Sequence, residues 1–146
     1  MPSTRRPPAS AAFLSIVQVA EQLQRGMAEL LKEHDLSLAQ YNVLRILRGA
    51  GPEGATCGDV SNNLIRHDPD VTRLMDRLDK RGFIERTRDT KDRRVVRTRI
   101  TKAGAALLAE LDEPVDALHS RQLGHVNAKR LAELVSVLEE TRERLP

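Results

Sequence analysis

An amphipathic segment bounded by Asp68-Pro69 and Gly82 runs directly into an Arg-rich strand-turn-strand from Phe83 to Ile100. The pairing predicts a mainly α fold with a small β-hairpin wing: a winged helix-turn-helix flanked by further helices at both chain ends. Composition agrees. Two Phe, one Tyr and no Trp leave Leu, Val, Ile and Ala to build the core, which suits packed helices rather than a β-sandwich. Charge is the third observation. Between Arg66 and Lys102 stand 13 Lys or Arg against 7 Asp or Glu, a net of +6, whereas residues 1–65 sum to 0 and residues 103–146 to −3 within the whole-chain +3. A concentrated cationic module is what a polyphosphate backbone selects through counterion release.

Each element has a local cause. Residues 1–10 hold three prolines with Arg5 and Arg6 and read as a flexible basic arm. From 11 to 34, Phe13, Val17, Ala20, Leu23, Met27, Leu30 and Leu31 recur at helical spacing and give one long helix with a single apolar stripe. Ser37-Leu-Ala-Gln40 is a capping-box pattern that opens a second helix carrying Tyr41, Val43, Leu44 and Leu47, stopped by Gly49, Gly51 and Pro52. Thr56 caps a short third helix containing Val60 and Leu64, and Ile65-Arg66-His67 turns the chain toward Asp68.

In the fourth helix Asp68 is the expected cap and Pro69 the first helical residue, where a missing amide costs little. Val71, Leu74, Met75 and Leu78 form its buried face; Thr72, Arg73, Asp76, Arg77 and Lys80 point outward. Thr72, Arg73 and Arg77 are therefore the candidate DNA contacts of a recognition helix, since Arg spans guanine O6 and N7 in the major groove. The competing role for these arginines is pairing with Asp70, Asp76 or Asp79 at helical spacing.

The hairpin is expected as strands Phe83–Arg88 and Arg94–Ile100, with Val96 and Ile100 on one face and Arg97 and Arg99 on the other. Its tip, with Lys91, Arg93 and Arg94, suits phosphate or a narrow minor groove. Thr101 caps a fifth helix with Leu107, Leu108, Leu111, Val115 and Leu118 on its apolar side and Pro114 as a candidate kink; Asn127 caps a sixth with Leu131, Leu134, Val135 and Leu138. The stripes of 11–34 and 103–146 exceed what the module at 37–102 covers, so both ends are expected to form a helical dimer interface. Residues 11–146 are thus one domain.

Several motifs in order resemble the MarR (multiple antibiotic resistance regulator) family of winged helix-turn-helix transcription regulators. They are Val71-Thr-Arg-Leu-Met-Asp-Arg-Leu-Asp-Lys-Arg-Gly82, then Asp92-Arg-Arg94, then Ile100-Thr-Lys-Ala-Gly104, with Leu36-Ser-Leu-Ala-Gln40-Tyr-Asn-Val-Leu44 upstream. The match covers nearly the whole chain. It implies a homodimer on double-stranded DNA, its recognition helices in successive major grooves of a pseudo-palindrome and its wings in flanking minor grooves. By the same resemblance Asp92 orients Arg94 into the minor groove, with Arg93 or Lys91 touching phosphate nearby, and the regulator is a repressor. Asn62-Asn-Leu-Ile-Arg-His67 departs from the family's small-residue turn and leaves open whether Asn63 or His67 touches DNA.

Other signals are weaker. Single Cys57 permits no internal disulfide or CxxC pair; the resemblance implies that oxidant-sensing members carry their Cys in the first helix, so Cys57, at the start of the third, is expected to be a small buried thiol. His34, His67, His119 and His125 form no HxxxH or HxH pair, so no metal is assigned. Tyr41 reads as a core aromatic. There is no Gly-rich phosphate loop, no GxSxG and no membrane-length apolar run, so no enzyme, no cofactor and no membrane association are expected, and the cytoplasm is the expected compartment. A small-molecule effector is unidentified. The alternatives are an activator, a ligand-responsive regulator, or a winged-helix module whose hairpin binds an acidic protein; preference for one DNA sequence separates the last from the others.

Overall fold

The computed structural model describes residues 6–146 and contains six helices and one antiparallel hairpin among them. The order is α1 (Pro8–Lys32), α2 (Leu38–Ala50), a 3-10 turn (Gly51–Glu53), α3 (Cys57–Asn63), α4 (Val71–Lys80), β1 (Ile84–Arg88), β2 (Val96–Ile100), α5 (Lys102–Leu123) and α6 (Ala128–Arg144).

The core gathers on α2. Val43, Leu44 and Leu47 are fully buried there against Leu31 of α1, Val60 of α3, Leu78 of α4, Ile84 of β1 and Leu108 and Leu111 of α5. α2 starts where expected: the Ser37 hydroxyl accepts the Gln40 amide at 3.0 Å and the Gln40 side chain accepts the Ser37 amide at 3.0 Å. Thr56 and Asp59 form the same reciprocal box at α3. Thr56 holds the Asp59 carboxyl below the usual range, first through its backbone amide and then through its hydroxyl.

Four expectations change. The arm at 1–10 is helical from Pro8, with Pro7 as the cap, because prolines sit comfortably in a first turn whose amides have no intrahelical acceptor. Met1–Arg5 lie outside the described residues. Asp70, not Asp68, caps α4: its carboxylate accepts the Arg73 amide at 3.2 Å, while Asp68 accepts the Asp70 amide at 2.8 Å and shapes the approach. Pro69 therefore precedes the helix. On β2 the buried residue is Thr98, and Val96 is exposed. Thr98 exchanges backbone hydrogen bonds with Ala55 at 2.8 and 2.9 Å, so a one-residue third strand covers that position. Finally, Cys57 is exposed at the start of α3 rather than buried, with Sγ 4.0 Å from the Thr72 hydroxyl.

α5 runs through Pro114 without interruption. It is tied to the winged module by Arg48 of α2, whose Nη1 and Nη2 donate to the two carboxylate oxygens of Asp112 at 2.8 and 3.0 Å. The pairing raises Arg48 and lowers the Asp112 carboxyl, in both cases chiefly through this side-chain hydrogen bond. A lowered folded-state pKa gives stability that is present above the unfolded value and lost as pH falls through the folded one. Wild type should thus exceed Asp112→Asn in Tm at neutral pH, and the two should converge as pH falls from about 5 toward 2. Thermal unfolding across that range checks it; a constant gap would mean the pair contributes nothing pH-linked.

α6 contains no buried residue, and Leu134, Val135, Val137 and Leu138 are exposed on it. The first half of α1 is similarly bare at Phe13, Ile16, Val17 and Val19. No described helix is long and apolar enough to cross a membrane.

Candidate nucleic-acid interface

α4 owes its outward face to the four residues that anchor it. Val71, Leu74, Met75 and Leu78 are buried, which leaves Thr72, Arg73, Asp76, Arg77 and Lys80 exposed. Arg73 lies 4.0 Å from Asp70, a loose and highly exposed pair. Arg77 has no side-chain hydrogen bond or ion pair among the described residues.

The wing pairs Ile84 with Ile100 and Arg88 with Val96, and residues 89–95 form its tip. Two aspartates shape that tip. Asp89 accepts the Lys91 amide at 3.0 Å and the Arg97 Nε at 3.3 Å; the Lys91 amide first, then Arg97, holds its carboxyl below the ordinary range. Asp92 accepts the Arg94 backbone amide at 3.0 Å. It thereby fixes the main chain from which Arg94 projects, rather than gripping the guanidinium. Lys91, Arg93 and Arg94 are exposed, and their side chains have no hydrogen-bond or ion-pair partner among the described residues.

Nine of the 13 cations of this segment fall into two groups. Arg81 donates to the carbonyls of Asp35 and His34 at 2.6 and 3.0 Å and lies over the Phe83 ring at 4.8 Å, closing the end of α1 onto the end of α4. Arg97 is held by Asp89, and Arg99 by the Pro52 carbonyl and the Thr87 hydroxyl. Arg86 binds Asp76 and approaches Asp79. The group left for an anionic partner is Arg73, Arg77, Lys91, Arg93 and Arg94, on the outer face of α4 and at the wing tip. Desolvated pairing would have muted these charges; exposure keeps them available to phosphate.

Sequence reasoning missed the structural arginines. For Arg86 a signal existed: it lies two residues beyond Ile84, so strand alternation turns both to one side. For Arg81 none did, because its partners lie 46 and 47 residues away. The four histidines join no cluster of candidate metal ligands among the described residues.

The MarR family model matches residues 36–96, which span α2 to the start of β2. A MarR transcription factor from Planctomyces limnophilus is 40% identical, with 92% of this chain and 97% of that chain covered and a TM-score of 0.71. A mutant MarR from E. coli complexed with operator DNA is 29% identical over 90% of this chain and 91% of that one, with a TM-score of 0.78. The HTH-type transcriptional repressor IacR of Pseudomonas putida is 25% identical over 127 residues, 87% of this chain and 75% of that protein. With its fold, and with the 40% identical MarR transcription factor matched almost end to end, the chain belongs to the MarR family of DNA-binding transcriptional regulators.

Proposed function

We propose that the chain is a cytoplasmic homodimeric repressor that covers a pseudo-palindromic operator, each α4 entering a major groove and each wing tip a flanking minor groove. The observation that carries this is the set of exposed cations on the outer face of α4 and at the wing tip, of which Arg77, Lys91, Arg93 and Arg94 have no side-chain partner among the described residues and Arg73 has only a loose one. Thr72, Arg73 and Arg77 read base edges; Arg94 enters the minor groove from a backbone set by Asp92, and Lys91 and Arg93 hold phosphate. The bare stripes of α1 and α6 supply the second copy. Two-fold symmetry in the protein then requires an inverted repeat in the DNA. The operator-bound E. coli structure and the repressor among the relatives support the same reading.

Selection of bound sequences from a random duplex pool, with light scattering on the same sample, tests it. An inverted repeat with half-sites about one helical turn apart, bound by a dimer, is the expected result. No enriched repeat from a folded dimer would favour a protein partner for the basic hairpin. On the selected site, Arg94→Ala should weaken binding to many sequences alike and lower the salt slope by about one, whereas Arg73→Ala or Arg77→Ala should relax preference at particular bases by about 1–3 kcal/mol. Unchanged affinity for Arg94→Ala would remove the wing from the interface.

A further inference from the structure

Asp76 and Asp79 are out of place on a helix that faces phosphate. They are three residues apart, hence neighbours on the helix surface, and both are about half exposed, at 51% and 48%. Left alone they would oppose the cations of Arg73, Arg77 and Lys80 on the same helix. They are not left alone. Arg86 reaches across from β1, its Nη2 bound to the Asp76 carboxylate and its Nε 3.7 Å from Asp79. Only 26% of the Arg86 side chain is exposed, and its buried Nε has no hydrogen-bond partner.

The strand register shows what this contact holds. Arg86 pairs with Thr98, the buried residue that joins β2 to Ala55, so the two strands of the hairpin are fastened at the same level. Beyond Arg86, Thr87 and Arg88 are exposed and the tip extends into solvent. Two other wing arginines fasten elsewhere: Arg97 to Asp89 within the hairpin, Arg99 to Pro52 after α2 and to Thr87. A two-stranded ribbon is marginal by itself, so the direction of its tip is set by such ties. Among the described residues, Arg86 supplies the ion pairs between the wing and α4. A planar guanidinium can serve two carboxylates at once, which an ammonium on a flexible stem does poorly.

We propose that Arg86, with Asp76 and Asp79, is a positioning cluster that fixes the wing tip relative to the recognition helix, so that major-groove and minor-groove contacts are made in one register. The proposal rests on the wing entering a minor groove. It assigns the two acidic residues of α4 an orienting role instead of a contact with DNA, and makes their negative charge an asset to binding.

The discriminating variant is the double substitution Asp76→Asn with Asp79→Asn in the full-length chain, on the duplex selected for wild type. Hydroxyl-radical footprinting, affinity over a salt series and thermal unfolding are measured together. The cluster predicts loss of the flanking minor-groove protection and about a tenfold weaker operator complex, with central protection kept and Tm little changed, although the module has become two charges more positive. Simple electrostatics predicts tighter binding, a steeper salt slope and an intact flanking footprint, and that result overturns the proposal. Arg86→Ala should reproduce the footprint change and Arg86→Lys restore it in part. Should Arg86→Ala loosen the hairpin as a whole, the double Asn variant, which leaves β1 untouched, still decides. Wild type without flanking protection overturns the minor-groove reading and this proposal with it; wild-type protection that persists in the double variant overturns this proposal alone.

Discussion

With the proposed dimer, Leu134→Asp is expected to leave a monomer and to weaken operator binding by on the order of a hundredfold or more. The reason is the state of α6 in one chain. None of its 17 residues is buried, while Leu134, Val135, Val137 and Leu138 stand exposed along it. A helix of that length with little packing of its own is marginal in water, so its order must come from a covering surface. The first half of α1 offers a surface of the same kind at Phe13, Ile16, Val17 and Val19. In a two-fold assembly one substitution is felt twice, and each carboxylate would be driven into an apolar contact. Losing the second copy removes the linkage that makes binding of the second half-site intramolecular. Sedimentation velocity and an operator titration are the measurements. A profile still dimeric would place the interface elsewhere, and a monomer that keeps full affinity would show that one winged module suffices.

The second large effect concerns a single methyl group. Gly104→Ala should destabilise the fold by about 1–3 kcal/mol and lower Tm by roughly 3–10 °C. A Cβ at position 104 would stand 2.3 Å from the Phe83 carbonyl oxygen and 2.8 Å from Ile100 Cγ1. That carbonyl cannot retreat freely, since it accepts the Thr101 amide at 3.0 Å, and the Thr101 hydroxyl donates to the Gly82 carbonyl at 2.6 Å while accepting the Gly104 amide. The glycine of the Ile100-Thr-Lys-Ala-Gly104 motif is therefore there to let α5 start against the loop that leads into the wing. Gly49 provides the contrast. It also lies in a helix, but a Cβ there meets nothing within 4 Å, so Gly49→Ala should be stabilising by about 0.5–1 kcal/mol at most. Opposite signs for two Gly→Ala changes in thermal unfolding are the expected outcome; a neutral Gly104→Ala would mean that α5 does not approach Phe83 so closely.

The buried and outward faces of α4 were legible because their information is local. Four apolar residues at 71, 74, 75 and 78 suffice to orient a ten-residue helix, and the same four are its buried residues. Caps at Ser37, Thr56, Thr101 and Asn127 were equally readable, since a hydroxyl or amide three residues before a free amide satisfies it without help from elsewhere. The cap of α4 was misplaced for an instructive reason. Asp68 and Asp70 each suit the role, Pro69 favours the earlier one, and the choice depends on where the chain leaves α3, which the Asn42 side chain helps fix by accepting the Ile65 amide at 2.8 Å.

The sequence by itself determined the helices and their apolar faces, the hairpin, the family they compose and the existence of one basic module, because periodicity, capping and charge density are properties of neighbouring residues. Only the tertiary structure decided which charges of that module are spent internally. Arg81, Arg86, Arg97 and Arg99 look like Arg73, Arg77, Arg93 and Arg94 in a composition, yet the first four are held by protein oxygens and the last three of the second four project without a side-chain partner among the described residues. A hydrogen bond or ion pair needs its two ends close together, and for Arg86 and Arg81 that closeness is set by the packing of α4 against β1 and by the meeting of the ends of α1 and α4, not by spacing along the chain.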